Sequence, residues 1–176
     1  MNKEHNFKII VPFYNVEEWI GKCVKSIQLQ KNKNFKCFLI DDISTDNSVN
    51  VIENLISQDD RFVLVKNKEK KFALKNIFDA ISDSGNDPED IIVTLDGDDW
   101  FASKEVLNIL NERYNKLNCL ITYGSYIEYP SMQKGKFCKP INKKIIKDNS
   151  YRKSQWTSSH LRTFKRKLWN RIDVSD

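Results

Sequence analysis

Short apolar runs alternate with amphipathic stretches along the first 125 residues of the chain. Each run is long enough for a buried strand, and the helical spacing between runs predicts helices that cover those strands. The runs predicted as strands are 7–12, 37–40, 62–65, 91–95 and 119–123. Because strands and helices alternate, we expect an α/β fold of Rossmann-like type, with a mostly parallel sheet and helices on both faces.

The helices are predicted from apolar residues spaced three and four apart. The first covers 16–30, where Asn15 and Glu18 have the spacing of a capping box with Asn in place of Ser or Thr. The segment 44–46 can cap the second helix, and two more apolar faces run over 72–81 and 106–114. Each predicted helix therefore joins two predicted strands, as a parallel sheet requires.

The length and composition suit one domain with a buried core. The chain has 176 residues, of which 40% are hydrophobic, and one domain of this size can bury a core. No apolar run reaches the roughly 18 residues of a transmembrane helix, and the first residues lack a signal-peptide pattern. The four cysteines form no CxxC pair, so we interpret them as buried free thiols. We therefore expect a soluble cytoplasmic protein without a transmembrane segment.

The charge is distributed unevenly. The whole chain carries 29 Lys and Arg against 24 Asp and Glu, whereas residues from Ser131 onward hold 13 basic against 3 acidic side chains. This basic part suits a polyanionic partner such as a nucleic acid, and it equally suits a solvated lysine-rich surface. Aromatic residues interleaved with basic ones at 151–156 are a feature of nucleic-acid binding.

Polar residues follow three of the predicted strands at the point where each ends. Tyr14 follows the first, Asp41 and Asp42 follow the second, and the sequence Asp-Gly-Asp-Asp at 96–99 follows the fourth. In open α/β sheets, ligands bind beyond the carboxyl ends of the strands. We therefore expect these side chains to meet at one edge of the sheet.

The acidic segment 96–99 admits two interpretations. Three carboxylates within four residues repel one another, and a divalent cation would compensate that charge. Oxygen ligands suit Mg²⁺ or Mn²⁺, and Gly97 lets the backbone turn tightly so that neighbouring carboxylates face one side. Alternatively, Asp98 and Asp99 cap the following helix or lie in a solvated acidic turn, because Asp-Gly is a common turn dipeptide.

Three segments together resemble the signature stretches of family 2 glycosyltransferases, in the same order and at appropriate spacing. They are Val-Pro-Phe-Tyr-Asn at 11–15, Ile-Asp-Asp-Ile-Ser-Thr-Asp at 40–46 and Leu-Asp-Gly-Asp-Asp-Trp at 95–100. The resemblance covers residues 7–172, and 159–165 is similar to a segment in the acceptor-side half of many members. It implies a GT-A-like fold in a single domain, 1–176, with a nucleotide-sugar-binding half, 1–125, and a partial acceptor-side half, 126–176.

The resemblance implies that the enzyme takes a nucleotide sugar, with a UDP-sugar as the expected donor. Tyr14 would border the nucleotide base, Asp42 would accept a hydrogen bond from a uracil-like base, and Asp41 would support the turn or the ribose. For Lys75, which would contact base or phosphate, an exposed surface lysine is the alternative. The residues expected to bind the nucleotide sugar are Pro12, Tyr14, Asp41, Asp42, Lys75, Asp96, Gly97 and Asp98.

The resemblance also implies that Asp98 and Asp99 hold Mn²⁺ or Mg²⁺ between the donor phosphates, with His160 as a further metal or phosphate contact. Such an ion acts as a Lewis acid and neutralises charge on the departing nucleoside diphosphate. A hydrogen-bonded structural histidine is the alternative for His160, because imidazole suits both roles.

Inverting members of the family commonly carry their catalytic base in an acidic motif well beyond the histidine segment. After His160 the only carboxylates are Asp173 and Asp176, neither within such a motif. Three explanations stay open: a truncated domain, a compact variant with its base elsewhere, or a domain that binds donor with little turnover. We expect a short or truncated glycosyltransferase.

Two other functions compete with this one. A nucleotidyltransferase also needs paired acidic metal ligands, but it usually has a glycine-rich basic loop after the first strand, where this chain has Tyr-Asn-Val-Glu-Glu at 14–18. A nucleic-acid-binding or nucleic-acid-modifying protein would use the basic C-terminal part, and its binding would fall steeply with added salt.

Overall fold

The computed structural model describes residues 3–137, 139–155 and 159–172. The strands in chain order are β1 (Phe7–Phe13), β2 (Phe35–Asp41), β3 (Phe62–Lys66), β4 (Ile91–Thr94), β5 (Ile121–Gly124), β6 (Ile127–Glu128), β7 (Gln133–Lys134) and β8 (Ser159–Lys165). Six of them form one sheet in the order β3-β2-β1-β4-β8-β5, while β6 and β7 pair as a separate hairpin. The first four strands are parallel, and β8 runs antiparallel to β4 and β5. The predicted mostly parallel sheet is confirmed.

Helices cover both faces of this sheet, as predicted. The α-helices of the described residues are α1 (Ile20–Gln28), α2 (Ser48–Ile56), α3 (Phe72–Asp83), α4 (Val106–Leu117), α5 (Lys143–Lys147) and α6 (Arg166–Trp169), and α5 has no buried residue. One hydrophobic cluster joins the sheet to α1, α2 and α4, and a second joins its other face to α3 and α6. None of the described helices is long and apolar enough to cross a membrane.

The strand β1 explains why the sequence shows unbroken apolar runs instead of alternation. Phe7, Ile9 and Val11 belong to the first cluster, whereas Ile10 belongs to the second, and all four are fully buried. A strand covered on both faces needs apolar side chains at every position. The described cysteines fit the same picture, because all three are free thiols and Cys23 and Cys37 are buried.

The sequence did not predict β8 as a strand. Its residues Ser-His-Leu-Arg-Thr-Phe-Lys lack a continuous apolar run, yet it lies inside the sheet between β4 and β5. Its central Thr163 is fully buried, and its hydroxyl lies 2.7 Å from both the Tyr114 hydroxyl and the Thr122 hydroxyl. Because these hydroxyls satisfy one another, a polar residue is tolerated in the middle of the sheet.

The predicted capping box at the start of α1 is wrong. The helix begins at Ile20, and no side chain caps its first turn. Asn15 instead connects two loops, because its Oδ1 accepts a hydrogen bond from the Thr45 N–H at 2.7 Å, while Glu17 accepts one from the Asn47 N–H at 2.7 Å. The polar residues after β1 therefore fix the loop after β2.

A group of charged residues ties the late strand β8 to the amino end of β4. Lys165 donates a hydrogen bond to Glu89 at 2.8 Å, and Lys167 donates another at 3.2 Å. These bonds lower the pKa of Glu89 to about 2, against the opposing effect of burial. The ionised form of Glu89 therefore stabilises the fold.

We expect Glu89→Gln to lower the free energy of unfolding by about 1–2 kcal/mol at pH 7, a value reduced for the partial exposure of the pair. The folded pKa of Glu89 lies below its ordinary value of 4.5, so its contribution is present above pH 4.5 and is lost as the pH falls toward about 2. Urea unfolding of both proteins at a series of pH values checks this. A gap between them that did not narrow over that range would contradict it.

Candidate functional site

The acidic segment 96–99 forms a tight turn one residue after the end of β4. The Asp99 N–H donates to the Asp96 carbonyl at 3.0 Å, which closes the turn. Gly97 is required by close packing, because a Cβ at this position would lie only 2.6 Å from the Cβ of Phe13 at the end of β1. The turn thus packs closely against the end of β1.

Two carboxylates of this turn come together with His160 from β8. The Nε2 atom of His160 lies 3.4 Å from Oδ2 of Asp96 and 3.9 Å from Oδ2 of Asp99. Potential ligand atoms of all three residues lie within 4.8 Å of one another, which makes them a candidate metal site among the described residues. Asp98 is exposed and does not belong to this group.

The electrostatics of the turn favour a bound cation. Burial, together with the nearby Asp98 and Asp96, raises the pKa of Asp99, although His160 opposes this shift. A carboxylate that is costly to ionise beside two others gains most from a positive charge. Carboxylate oxygens suit Mg²⁺ and Mn²⁺, and imidazole is a common metal ligand, so these residues fit a divalent ion.

Asp42, at the end of β2, organises the loop that leads into α3. Its Oδ1 accepts hydrogen bonds from the Lys71 N–H at 2.8 Å and the Asn67 side chain at 3.1 Å, and its Oδ2 accepts one from the Phe72 N–H at 3.0 Å. Burial opposes its ionisation, but these bonds and the amide of Asn76 outweigh burial, so the pKa of Asp42 is lowered. Asp42 is therefore a buried, charged anchor, and its contact with a nucleotide base stays a prediction.

The other residues assigned to the donor lie along the same edge. Pro12 is buried within β1, and Asp41 is buried at the end of β2, where its carboxylate accepts a hydrogen bond from the Ser44 N–H at 2.9 Å. Tyr14 is 44% exposed. Lys75 is exposed on α3 and forms an ion pair with Asp79 of the same helix.

Sequence reasoning missed several side chains around these residues. Asn67 and Asn76 bond to each other beside Asp42, and Asn76 is 1% exposed. Lys70 places its ammonium 3.0 Å from the ring centre of Tyr14, and the ring of Tyr126 contacts His160 edge to face. The one signal in the sequence was that Asn76 directly follows Lys75, for which a donor contact is predicted. The base candidates Asp173 and Asp176 lie outside the described residues.

Two curated relatives match about two thirds of this chain. An uncharacterised glycosyltransferase of Haemophilus influenzae is 32% identical over 67% of the chain and 46% of its own length. The dTDP-rhamnosyl transferase RfbG of Shigella flexneri is 32% identical over 69% of the chain and 43% of its own length. The chain therefore spans less than half the length of these two relatives.

Solved structures share the fold of this chain. The structure of S. aureus TarS 1-349 in complex with UDP-GlcNAc covers 94% of the chain, with 46% of its own length, a TM-score of 0.72 and 18% identity. The mannosyltransferase PcManGT from Pyrobaculum calidifontis, in complex with GDP-Man and Mn²⁺, covers the same share with a TM-score of 0.62 and 18% identity. The predicted GT-A-like fold is confirmed.

The family is decided by a match over most of the sequence. The model of glycosyl transferase family 2 matches residues 8–172. This range includes the acidic turn, His160 and all six strands of the main sheet, apart from the first residue of β1. The chain therefore belongs to glycosyl transferase family 2.

Proposed function

We propose that this chain forms the donor-binding and reacting core of a metal-dependent glycosyltransferase, which moves a sugar from a UDP-sugar to an acceptor hydroxyl. The observation that carries the proposal is the meeting of Asp96, Asp99 and His160 at the edge where the parallel strands end. Family membership supports the reaction class. The anchor Asp42 lies at the same edge, where a nucleotide would reach both groups.

The nucleotide would lie over the ends of β1 and β2. Tyr14 offers a partly exposed ring for the base, and the ionised Asp42 offers a fixed acceptor for a base N–H. Relatives differ in the nucleotide that their names print, because one is a dTDP-rhamnosyl transferase and another binds GDP-Man. We favour UDP, because the structural neighbour TarS has a structure in complex with UDP-GlcNAc.

A divalent ion would be held by Asp99 with His160 and one further carboxylate of the turn. The geometry favours Asp96 as that carboxylate, and the family resemblance favours Asp98. When bound, Mn²⁺ or Mg²⁺ supplies Lewis-acid neutralisation of the diphosphate charge. The protein groups contribute a preformed arrangement, because the tight turn and β8 fix their carboxylates and imidazole before the ligand arrives.

The acceptor-side half, 126–176, would complete the reaction by orienting the acceptor and removing its proton. We keep Asp173 and Asp176 as the candidates for the base, which would contribute about 10²–10⁴-fold to the rate. We place the reaction in the cytoplasm, since the three described cysteines are free thiols, as is usual in a reducing compartment.

The proposal is tested by thermal unfolding in the presence of UDP, dTDP and GDP, each with and without Mn²⁺. We expect UDP with Mn²⁺ at about 100 times its dissociation constant to raise the melting temperature by about 5 °C, because a ligand that binds only the folded state stabilises it. UDP without metal should raise it far less. Glu112→Gln, an exposed change on α4, serves as the control and should respond like the wild type.

Stabilisation by every nucleotide without metal would contradict the proposal. Binding of single-stranded DNA or RNA that falls steeply with salt and needs no nucleotide sugar would favour a nucleic-acid-binding function for the basic C-terminal part.

A further inference from the structure

Three aromatic rings surround one lysine beside the acidic turn. We call Trp19, Trp100, Tyr129 and Lys22 the aromatic cluster. The Lys22 ammonium lies 4.6, 5.2 and 4.4 Å from the ring centres of Trp19, Trp100 and Tyr129, respectively. Trp19 and Trp100 are stacked at 6.2 Å, and Tyr129 meets both edge to face. The rings therefore hold the cation at a defined position.

The aromatic cluster lies next to the candidate reacting groups and is separate from the residues assigned to the nucleotide. Trp100 directly follows Asp99, and Trp19 directly precedes α1. Tyr129 lies in the segment between β6 and β7, and Tyr126, which directly precedes β6, contacts His160. The cluster thus joins the acidic turn to the acceptor-side half of the chain.

The charge of Lys22 is available to a ligand. Within residues 3–137, 139–155 and 159–172, no carboxylate forms an ion pair with Lys22, and its side chain is exposed. Aromatic faces attract a cation without neutralising it, since they carry only the partial negative charge of the ring quadrupole. Lys22 is therefore an oriented positive charge that still lacks an anion.

We propose that the aromatic cluster binds the acceptor, and that this acceptor is a sugar carrying a phosphate or carboxylate group. The inference rests on the proposed transferase function. The exposed part of Tyr129, which is 54% exposed, and the indole rings would pack against the C–H bonds of the sugar ring, because those bonds are attracted to aromatic faces. Lys22 would donate hydrogen bonds to the anionic group. An acceptor hydroxyl would then lie beside Asp99.

Binding of simple probes tests the proposal without donor or metal. We use glucose 6-phosphate, glucuronate, methyl glucoside and inorganic phosphate, and we measure quenching of tryptophan fluorescence together with ligand-observed NMR. Glucose 6-phosphate and glucuronate should bind about 10-fold more tightly than methyl glucoside, since a charge-assisted hydrogen bond is added. Inorganic phosphate, which has no ring to stack, should bind more weakly than glucose 6-phosphate.

Variants assign the two parts of the interaction. Lys22→Gln should abolish the preference for anionic sugars, and Lys22→Arg should retain it. Lys25→Gln, an exposed change on the same helix, is the matched control and should bind like the wild type. Tyr129→Ala should weaken both glucose 6-phosphate and methyl glucoside by about 5-fold, because a stacking surface is lost. Circular dichroism verifies that each variant is folded.

Equal affinity for charged and neutral sugars, an equal loss in Lys25→Gln, or no binding of any probe would overturn the proposal. Binding of UDP with Mn²⁺ is measured on the same samples and should be unchanged in Lys22→Gln. If anionic sugars bind at this cluster while UDP with Mn²⁺ does not, the transferase proposal fails and the sugar site stands. If UDP binds and the sugars do not, only the acceptor assignment fails.

Discussion

Replacing Asp99 by Asn should lower both the Mn²⁺-dependent affinity for UDP and the rate of donor turnover by about 10²–10³-fold, because in the proposed function this carboxylate would hold the metal that neutralises the diphosphate charge. Asp99 lies in the tight turn and shares the candidate metal site with Asp96 and His160. Asparagine keeps the shape of the side chain, so the fold should persist. Calorimetric titration with UDP and Mn²⁺, and the release of UDP from a UDP-sugar, measure the two effects.

Variants of Asp96 and Asp98 test which of these two carboxylates holds the metal together with Asp99. If the turn keeps its geometry when metal binds, Asp96→Asn should lose as much affinity for UDP with Mn²⁺ as Asp99→Asn. If Asp98 holds the metal, as the family resemblance implies, Asp98→Asn should lose more affinity than Asp96→Asn. A variant Asp99→Asn that binds UDP with Mn²⁺ as tightly as the wild type would contradict the metal assignment. Its unfolding temperature without ligand verifies that the comparison concerns binding.

Replacing Arg166 by Met should lower the free energy of unfolding by about 3–5 kcal/mol, because the buried carboxylate of Asp90 loses its nearest cation. Arg166 is 1% exposed and Asp90 is 2% exposed, with their charged groups 3.6 Å apart. The guanidinium also donates hydrogen bonds to the Ile81 carbonyl and the Ser84 hydroxyl. Urea unfolding at pH 7 measures the loss.

Arg171→Gln provides the control for Arg166→Met, since Arg171 is exposed and lies only five residues away. It should change stability by less than about 0.5 kcal/mol. Adding Asp90→Asn to Arg166→Met should restore part of the loss, because the buried carboxylate that no longer faces Arg166 is then neutral. A loss below about 1 kcal/mol in Arg166→Met would contradict this prediction. It would show that Lys8, whose ammonium lies 3.9 Å from Asp90, suffices to balance the charge of the Asp90 carboxylate.

The parallel part of the fold could be predicted because its strands are covered on both faces. Short apolar runs such as 7–12 and 91–95 are predicted to be buried strands, and in the structure they form β1 and β4. The strand β8 could not be predicted, since its buried Thr163 depends on hydroxyl partners from α4 and β5. The prediction of the start of α1 was wrong for a similar reason, because Asn15 forms its hydrogen bond with a loop 30 residues away and not with its own helix.

In the candidate site, too, some features could be predicted from the sequence and others depend on contacts between distant residues. Strand-end aspartates identify the edge of the sheet, because topology places ligands there. The sequence does not reveal which carboxylates of 96–99 share a cation, since that depends on the turn and on the position of His160 in β8. It also does not reveal that Asp42 is held by the backbone of Lys71 and Phe72, which are about 30 residues away.

The position of β8 has a consequence for how the chain matures during synthesis. This strand lies between β4 and β5, so those two strands do not pair with each other. β4 already pairs with β1, but β5 joins the sheet only through β8 and therefore only after residues 159–165 have left the ribosome. The same strand brings His160 to the acidic turn. Contacts of such long sequence separation form late in folding. A nascent chain that lacks residues 159–165 therefore has neither the complete six-stranded sheet nor the third candidate ligand.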